Sequence, residues 1–122
     1  MSRGWYDRSG TRISDIQAAE LRLGDPNYYR VAFTRFTNGL EISTVWLGLD
    51  HGYYGSGQGP PIIFETMIFT TGEWAGEACW RFATEEEALE HHAKLVLDMV
   101  DMKKELRLVV AEHEFHRVEM RP

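Results

Sequence analysis

Tyr28-Tyr29-Arg30-Val31-Ala32-Phe33-Thr34-Arg35-Phe36, then Asn38-Gly39, then Glu41-Ile42-Ser43-Thr44-Val45-Trp46-Leu47-Gly48-Leu49 is the stretch that decides the fold class. Both runs are rich in aromatic and β-branched side chains, which suit a pleated, half-buried surface. Asn and Gly readily take the two positive-φ positions of a primed turn, so the spacing predicts a hairpin with strands over 28–36 and 41–49.

Downstream, Ile62 to Thr70 is a third strand-forming run. Thr71-Gly72 is a break, and Ala78 to Phe82 reads as a shorter fourth strand. Four such runs in succession predict an antiparallel meander. In the 42–49 strand, Val45, Leu47 and Leu49 alternate with Ile42, Thr44 and Trp46; in the 62–70 strand, Ile62, Phe64 and Ile68 alternate with Ile63, Met67 and Phe69. Both faces are therefore apolar. A sheet covered on one side only shows polar residues on the other. The second face is thus expected to meet the N-terminal helix, the C-terminal tail or another chain, and a homodimer is one expectation.

The helices are marked by their first turns. Ser14-Asp15-Ile16-Gln17 fits a capping box, which predicts a short helix over 15–23, with Gly24 as a left-handed cap and Asp25-Pro26 preventing continuation. Thr84-Glu85-Glu86-Glu87 is a second capping box whose glutamates face the positive end of the helix dipole. Ala88, Leu89, His92, Leu95, Val96, Met99, Val100, Met102 and Leu106 then recur at helical spacing as one apolar stripe, and Glu90 and Lys94 are placed for an i,i+4 pair. Past residue 107 the pattern fits two elements. Val109, Val110, His113, Arg117 and Met120 continue a helix, whereas Leu108-Val109-Val110 alone suits a strand; the longer pattern favours helix over 107–122. At the other end, Trp5 to Ile13 surrounds the polar turn Asp7-Arg8-Ser9-Gly10 and reads as a small hairpin or arm. The fold class expected is α+β: a four-stranded antiparallel sheet with a short N-terminal and a long C-terminal helix, forming a single domain over 1–122.

Composition narrows the function classes. The 122 residues are 43% hydrophobic and 26% charged, which is globular rather than disordered composition. The net charge is −6, and all the excess lies in the second half: residues 1–61 hold six basic and six acidic side chains, residues 62–122 seven and thirteen. Such a balance disfavours nucleic acid and anionic membranes as partners. A single cysteine, Cys79, forms no internal disulfide and is read as a small apolar residue. With no signal-like N-terminus and no apolar run of membrane-spanning length, a cytoplasmic location is expected.

Candidate chemistry centres on residues 50–61, Asp-His-Gly-Tyr-Tyr-Gly-Ser-Gly-Gln-Gly-Pro-Pro. The loop lacks the Gly-Lys-Ser/Thr ending of a phosphate loop and a strand follows it, so a nucleotide role has little support. Tyr53 and Tyr54 at its tip are amphipathic side chains suited to protein contacts. Asp50 and His51 end one strand and Glu65 lies on its hairpin partner, a set that could tune a general base. The commoner role for such a set is structural, with Asp50 and His51 capping the strand end and Glu65 pairing with an arginine. Trp46 either fills the core or faces a second copy. No catalytic residue is assigned, and the pattern implies no cofactor and no metal. His91 and His92 point about 100° apart on a helix. His92 falls near the core stripe and His91 beside the solvent face, while His113-Glu114-Phe115-His116 lacks the four-residue spacing of zinc proteases.

Three motifs in order, Ser43-Thr44-Val45-Trp46-Leu47-Gly48-Leu49-Asp50-His51, Gly59-Pro60-Pro61-Ile62-Ile63-Phe64-Glu65-Thr66-Met67-Ile68-Phe69 and Phe82-Ala83-Thr84-Glu85-Glu86-Glu87-Ala88-Leu89, resemble a group of small uncharacterised proteins of tailed phages, prophages and some bacterial genomes. Trp5-Tyr6-Asp7-Arg8-Ser9-Gly10 is similar to theirs as well, and the tail after about residue 100 lies outside the pattern. The resemblance implies a fold and a phage setting, hence a cytoplasmic accessory protein acting on host machinery, with counter-defence among its roles. It transfers no catalytic residue. The expected function is that of an interaction protein, not an enzyme, contacting partners through the 50–61 loop and one sheet face. A small-molecule or nucleotide binder, or an enzyme, around Asp50, His51 and Glu65 is the second expectation, and a virion component the third.

Overall fold

A computed structural model describes residues 4–52, 59–70 and 73–102. Eight elements follow in order: β1 (Trp5–Tyr6), β2 (Arg12–Ile13), α1 (Asp15–Gly24), β3 (Arg30–Arg35), β4 (Leu40–Trp46), β5 (Phe64–Thr70), β6 (Glu73–Phe82) and α2 (Glu85–Met102). The class is α+β. The strands β3-β4-β5-β6 form a four-stranded antiparallel meander, and β1 and β2 pair as a separate two-stranded sheet. That hairpin closes through Asp7, whose Oδ1 accepts the amides of Ser9 and Thr11 and the Ser9 hydroxyl.

Local signals explain most boundaries. At α1 the capping box is complete, with Ser14 Oγ accepting Gln17 N–H and Gln17 Oε1 accepting Ser14 N–H. Its far end differs from the expected glycine cap: the helix includes Gly24, and the cap is an extended Asp25 whose N–H reaches Leu21 C=O. The central hairpin also turns differently. Gly39 N–H donates to Phe36 C=O, Phe36 N–H to Leu40 C=O and Leu40 N–H to Asn38 Oδ1, with Gly39 at φ 95°. This is a three-residue loop ending in a left-handed glycine rather than a two-residue primed turn. Strand β4 stops at Trp46 rather than running to Leu49, because Gly48 takes φ 86° and a Cβ there would lie 2.5 Å from the Trp5 ring. Strand β6 is ten residues long and begins at Glu73, well before the expected start. Around α2, Glu87 N–H donates to Thr84 Oγ1, as the capping sequence implies; Lys94 pairs with Asp98 rather than Glu90. The 107–122 tail and the Thr71-Gly72 break lie outside the described residues.

The core is built in three layers between α2 and the sheet. One layer holds Val31, Trp46, Phe64 and Ala88, and the opposite one Phe36, Ile42, Ile68 and Val96. Each of β3, β4, β5 and α2 contributes to both, with Phe36 just past the end of β3. The sheet alternates with period two and α2 returns to the same side every four residues, so the three layers fall at successive inward positions. A bulge between Arg30 and Ala32 turns Val31 into the core beside Ala32.

The middle layer is polar. Thr34, Thr44, Thr66 and His92 are each 0% exposed. His92 Nε2 lies 2.9 Å from Thr34 Oγ1 and Nδ1 lies 2.7 Å from Thr44 Oγ1, which is 2.6 Å from Thr66 Oγ1. A neutral imidazole has one N–H and one lone pair, so the chain of bonds runs in one of two directions. Either Thr34 donates to His92, His92 to Thr44 and Thr44 to Thr66, or every donor and acceptor is reversed. Both directions satisfy the two ring nitrogens.

The N-terminal hairpin docks at one end of this core. Trp46 donates its indole N–H to Tyr6 C=O, and its ring meets Tyr28 edge-on at 4.8 Å. Arg8 forms a two-pronged pair with Glu85 on the first turn of α2, both bonds 2.7 Å, and also donates to Tyr28 C=O. The Glu85 hydrogen bond, working against burial, strengthens the hold of Arg8 on its proton.

Replacing His92 by Ala takes the partner from the buried Thr34 hydroxyl, leaves Thr44 with Thr66 alone and opens a cavity, so His92→Ala is expected to lower stability by about 3–5 kcal/mol in urea unfolding. Thr44→Val keeps the shape and removes two bonds, for about 1–3 kcal/mol. A loss below about 1 kcal/mol in both variants would show that the polar layer adds little to stability.

Candidate functional site

Two surfaces bear on function: the strand end that carries the 50–61 loop, and the sheet face turned away from α2. At the strand end, Asp50 is 6% exposed. Its Oδ1 accepts Gly52 N–H at 2.7 Å and Ile62 N–H at 2.8 Å, so one carboxylate oxygen holds both ends of the loop. Main-chain bonds extend the clasp, with His51 N–H donating to Ile62 C=O and Asp50 N–H to Gly4 C=O. His51 is exposed and donates its Nδ1–H to Leu49 C=O. Tyr53 and Tyr54 lie outside the described residues.

Glu65 belongs to the other surface. It pairs in register with Val45 and Arg81 on the outer face of the sheet, where Arg81 Nε donates to its Oε2 at 2.9 Å and Cys79 Sγ donates to the same oxygen at 3.3 Å. Asp50 and Glu65 are thus each engaged by separate partners, and no hydrogen bond joins Glu65 to Asp50 or His51 among the described residues. Burial first, then the Glu65 carboxylate, pushes the Cys79 thiol up, which holds it protonated and poorly nucleophilic. Trp46 is 2% exposed and lies inside the core, its only polar atom given to Tyr6.

The outer face follows from the same alternation that builds the core. Side chains at the positions between the buried ones point away from α2, giving cross-strand rows of Arg30, Val45, Glu65, Arg81 and of Phe33, Ser43, Met67, Cys79. Glu41 and Phe69 lie side by side in the next row, beside Arg35. Val45, Met67, Phe69 and Phe33 form a half-buried apolar centre. Arginines sit at its margins: Arg30 and Arg35 both lie over the Phe33 ring, at 4.8 and 5.5 Å from its centre, and Arg35 also pairs with Glu41. Among the described elements only α2 packs broadly on the four strands, and it does so on the opposite face; α1 packs on the N-terminal hairpin. The expectation that the N-terminal helix covers the second sheet face is therefore not met.

A groove of about 600 Å³ runs between β6 and α2, lined by Arg81, Phe82, Glu87, His91 and Lys94 among others. His91 leans on the Trp80 and Phe82 rings at 5.0 Å each, and its Nδ1 is buried without a hydrogen-bond partner among the described residues. It is therefore a flank residue, less exposed than its sequence position implied. Among the described residues no group of three or more His, Cys, Asp or Glu is arranged to hold a metal, and no helix is long and apolar enough to cross a membrane.

No protein-family model matches the chain, and neither does any curated protein or solved structure. The site must therefore be judged on its geometry. Sequence reading missed the arginine margin, because which arginines share a face depends on the bulge at Val31 and on strand register. Counting positions outward from Phe33 and Val45 could have found Arg35 and Glu41.

Two measurements probe these assignments. Asp50→Ala removes the acceptor for two amides and is expected to cost about 2–3 kcal/mol, whereas His51→Ala should stay within about 0.5 kcal/mol of the parent. Equal effects would refute the clasp. The second concerns His91, which burial, aided by the Lys94 ammonium and opposed by Asp98, holds below its ordinary value of 6.5. The unfolded chain then binds the proton more readily, so the His91 contribution is intact above about pH 6.5 and stability falls as pH drops below it. In unfolding curves across that window, His91→Gln should show a shallower decline than the parent.

Proposed function

We propose that the chain acts by binding protein, through the outer sheet face and the adjoining 50–61 loop, and that it catalyses no reaction at the Asp50, His51 and Glu65 positions. The observation that carries this reading is the outer face itself: Phe33, Val45, Met67 and Phe69 interspersed with Ser43, Glu41 and Glu65 and bordered by Arg30, Arg35 and Arg81, with no described element packed across it. Enrichment in aromatic residues and Arg at the margin of an apolar patch is the composition of protein interfaces. The engagement of Asp50 as a loop clasp supports the same reading, since a carboxylate bound by two amides is poorly placed to act as a base.

In this reading the chain is one α+β domain, the short α1 set to one side and the long α2 backing the sheet. The resemblance to phage and prophage proteins supplies the setting: a host cytoplasm, host machinery as the partner, and interference with defence among the outcomes. The loop tyrosines Tyr53 and Tyr54 supply contacts at the rim.

The test uses the chain as bait in host lysate beside a Val45→Glu, Met67→Lys variant. Quantitative mass spectrometry should find the retained host proteins at least about tenfold depleted on the variant, with its thermal midpoint unchanged. Identical retention on both baits would sink the reading.

A further inference from the structure

We infer that the outer face of the sheet is covered by a second copy of the chain, packed sheet to sheet about a two-fold axis. This rests on the reading above that the face is an interface, and it names a second copy as the occupant of that face; host proteins then meet the paired loop ends, and the face variant loses them by separating the pair.

Charge is the first argument. The chain carries a net charge of −6, so two copies repel unless they meet where that excess is absent. The described side chains of the outer face supply that place: Arg30, Arg35 and Arg81 stand against Glu41 and Glu65, three positive charges against two negative. Two arginines already pair with the two glutamates within the face, and Arg30 lies over Phe33 and Tyr29. Described side chains so nearly balanced in charge have little attraction for a strongly charged partner and little repulsion for their own copy.

Shape is the second. Four strands spaced at about 4.8 Å, the central two seven residues long at about 3.4 Å per residue, present a footprint of roughly 20 by 24 Å. Side-chain relief brings this toward the about 800 Å² per partner of a standard interface. A sheet face of alternating side chains packs on another such face at about 10 Å, and an identical copy closes the contact on itself as a dimer.

Cys79 makes the inference testable, being the single cysteine, exposed and on the outer face. Sedimentation equilibrium and the rate of thiol labelling with a maleimide are measured on the full chain from about 1 to about 300 µM. The expected result is twice the 14.1 kDa chain mass at the upper end, with Cys79 labelling slowed at least about tenfold there and fast on dilution. Val45→Glu should give the single-chain mass and fast labelling throughout, with an unchanged circular dichroism spectrum. A single-chain mass at every concentration overturns the inference, whatever the labelling rate of Cys79. A dimer whose Cys79 stays fast overturns it too, because the copies then meet elsewhere. If the chain is monomeric yet the Val45→Glu, Met67→Lys bait still loses its host proteins, the second copy is refuted and the binding reading survives.

Discussion

His92 is where helix and sheet are keyed to each other. An imidazole with no exposure has two nitrogens to satisfy, and the hydroxyls of Thr34 and Thr44 are placed to do so, one on each. Sliding α2 by one turn would set Ala88 or Val96 opposite those hydroxyls and leave buried polar atoms unpaired, which costs more than the apolar contacts on either side would change. The two apolar layers tolerate some displacement because hydrophobic contact is not directional. The polar layer between them does not. Depth, rotation and register of the helix are all set by one side chain, and the neighbouring His91, about 100° around the helix, falls at the flank of the sheet instead.

Much of this fold was legible in the sequence, and what was missed has a common cause. The capping box of α1, the Thr84 cap of α2, the hairpin at Asn38-Gly39 and the in-out alternation of Ile42, Thr44, Trp46 against Val45 are written within a few residues, and the structure carries them. Gly48 was read as part of a strand because its reason for breaking one, the close approach of the Trp5 ring, comes from a residue more than forty positions away. The threonines of β3, β4 and β5 looked like ordinary strand formers. Only register brings Thr34, Thr44 and Thr66 together beneath one histidine.

The candidate site shows the same division. Asp50, His51 and Glu65 looked convergent because β4 and β5 are neighbours, yet alternation turns the Glu65 side chain outward while the bend after Trp46 carries Asp50 beneath the loop. Residues that share a hairpin need not share a surface. The apolar character of both sheet faces, by contrast, could be read directly, since period two is the one pattern that needs no tertiary information.

The bond between Arg8 and Glu85 spans seventy-seven positions of the chain. Everything the N-terminal hairpin rests on, Trp46, Tyr28 and the first turn of α2, comes later in the sequence. During synthesis that hairpin is therefore made before the surface it settles on, while the meander that follows can pair strand by strand through near neighbours. Its docking waits on a residue added seventy-seven positions later, and so reports that α2 has formed.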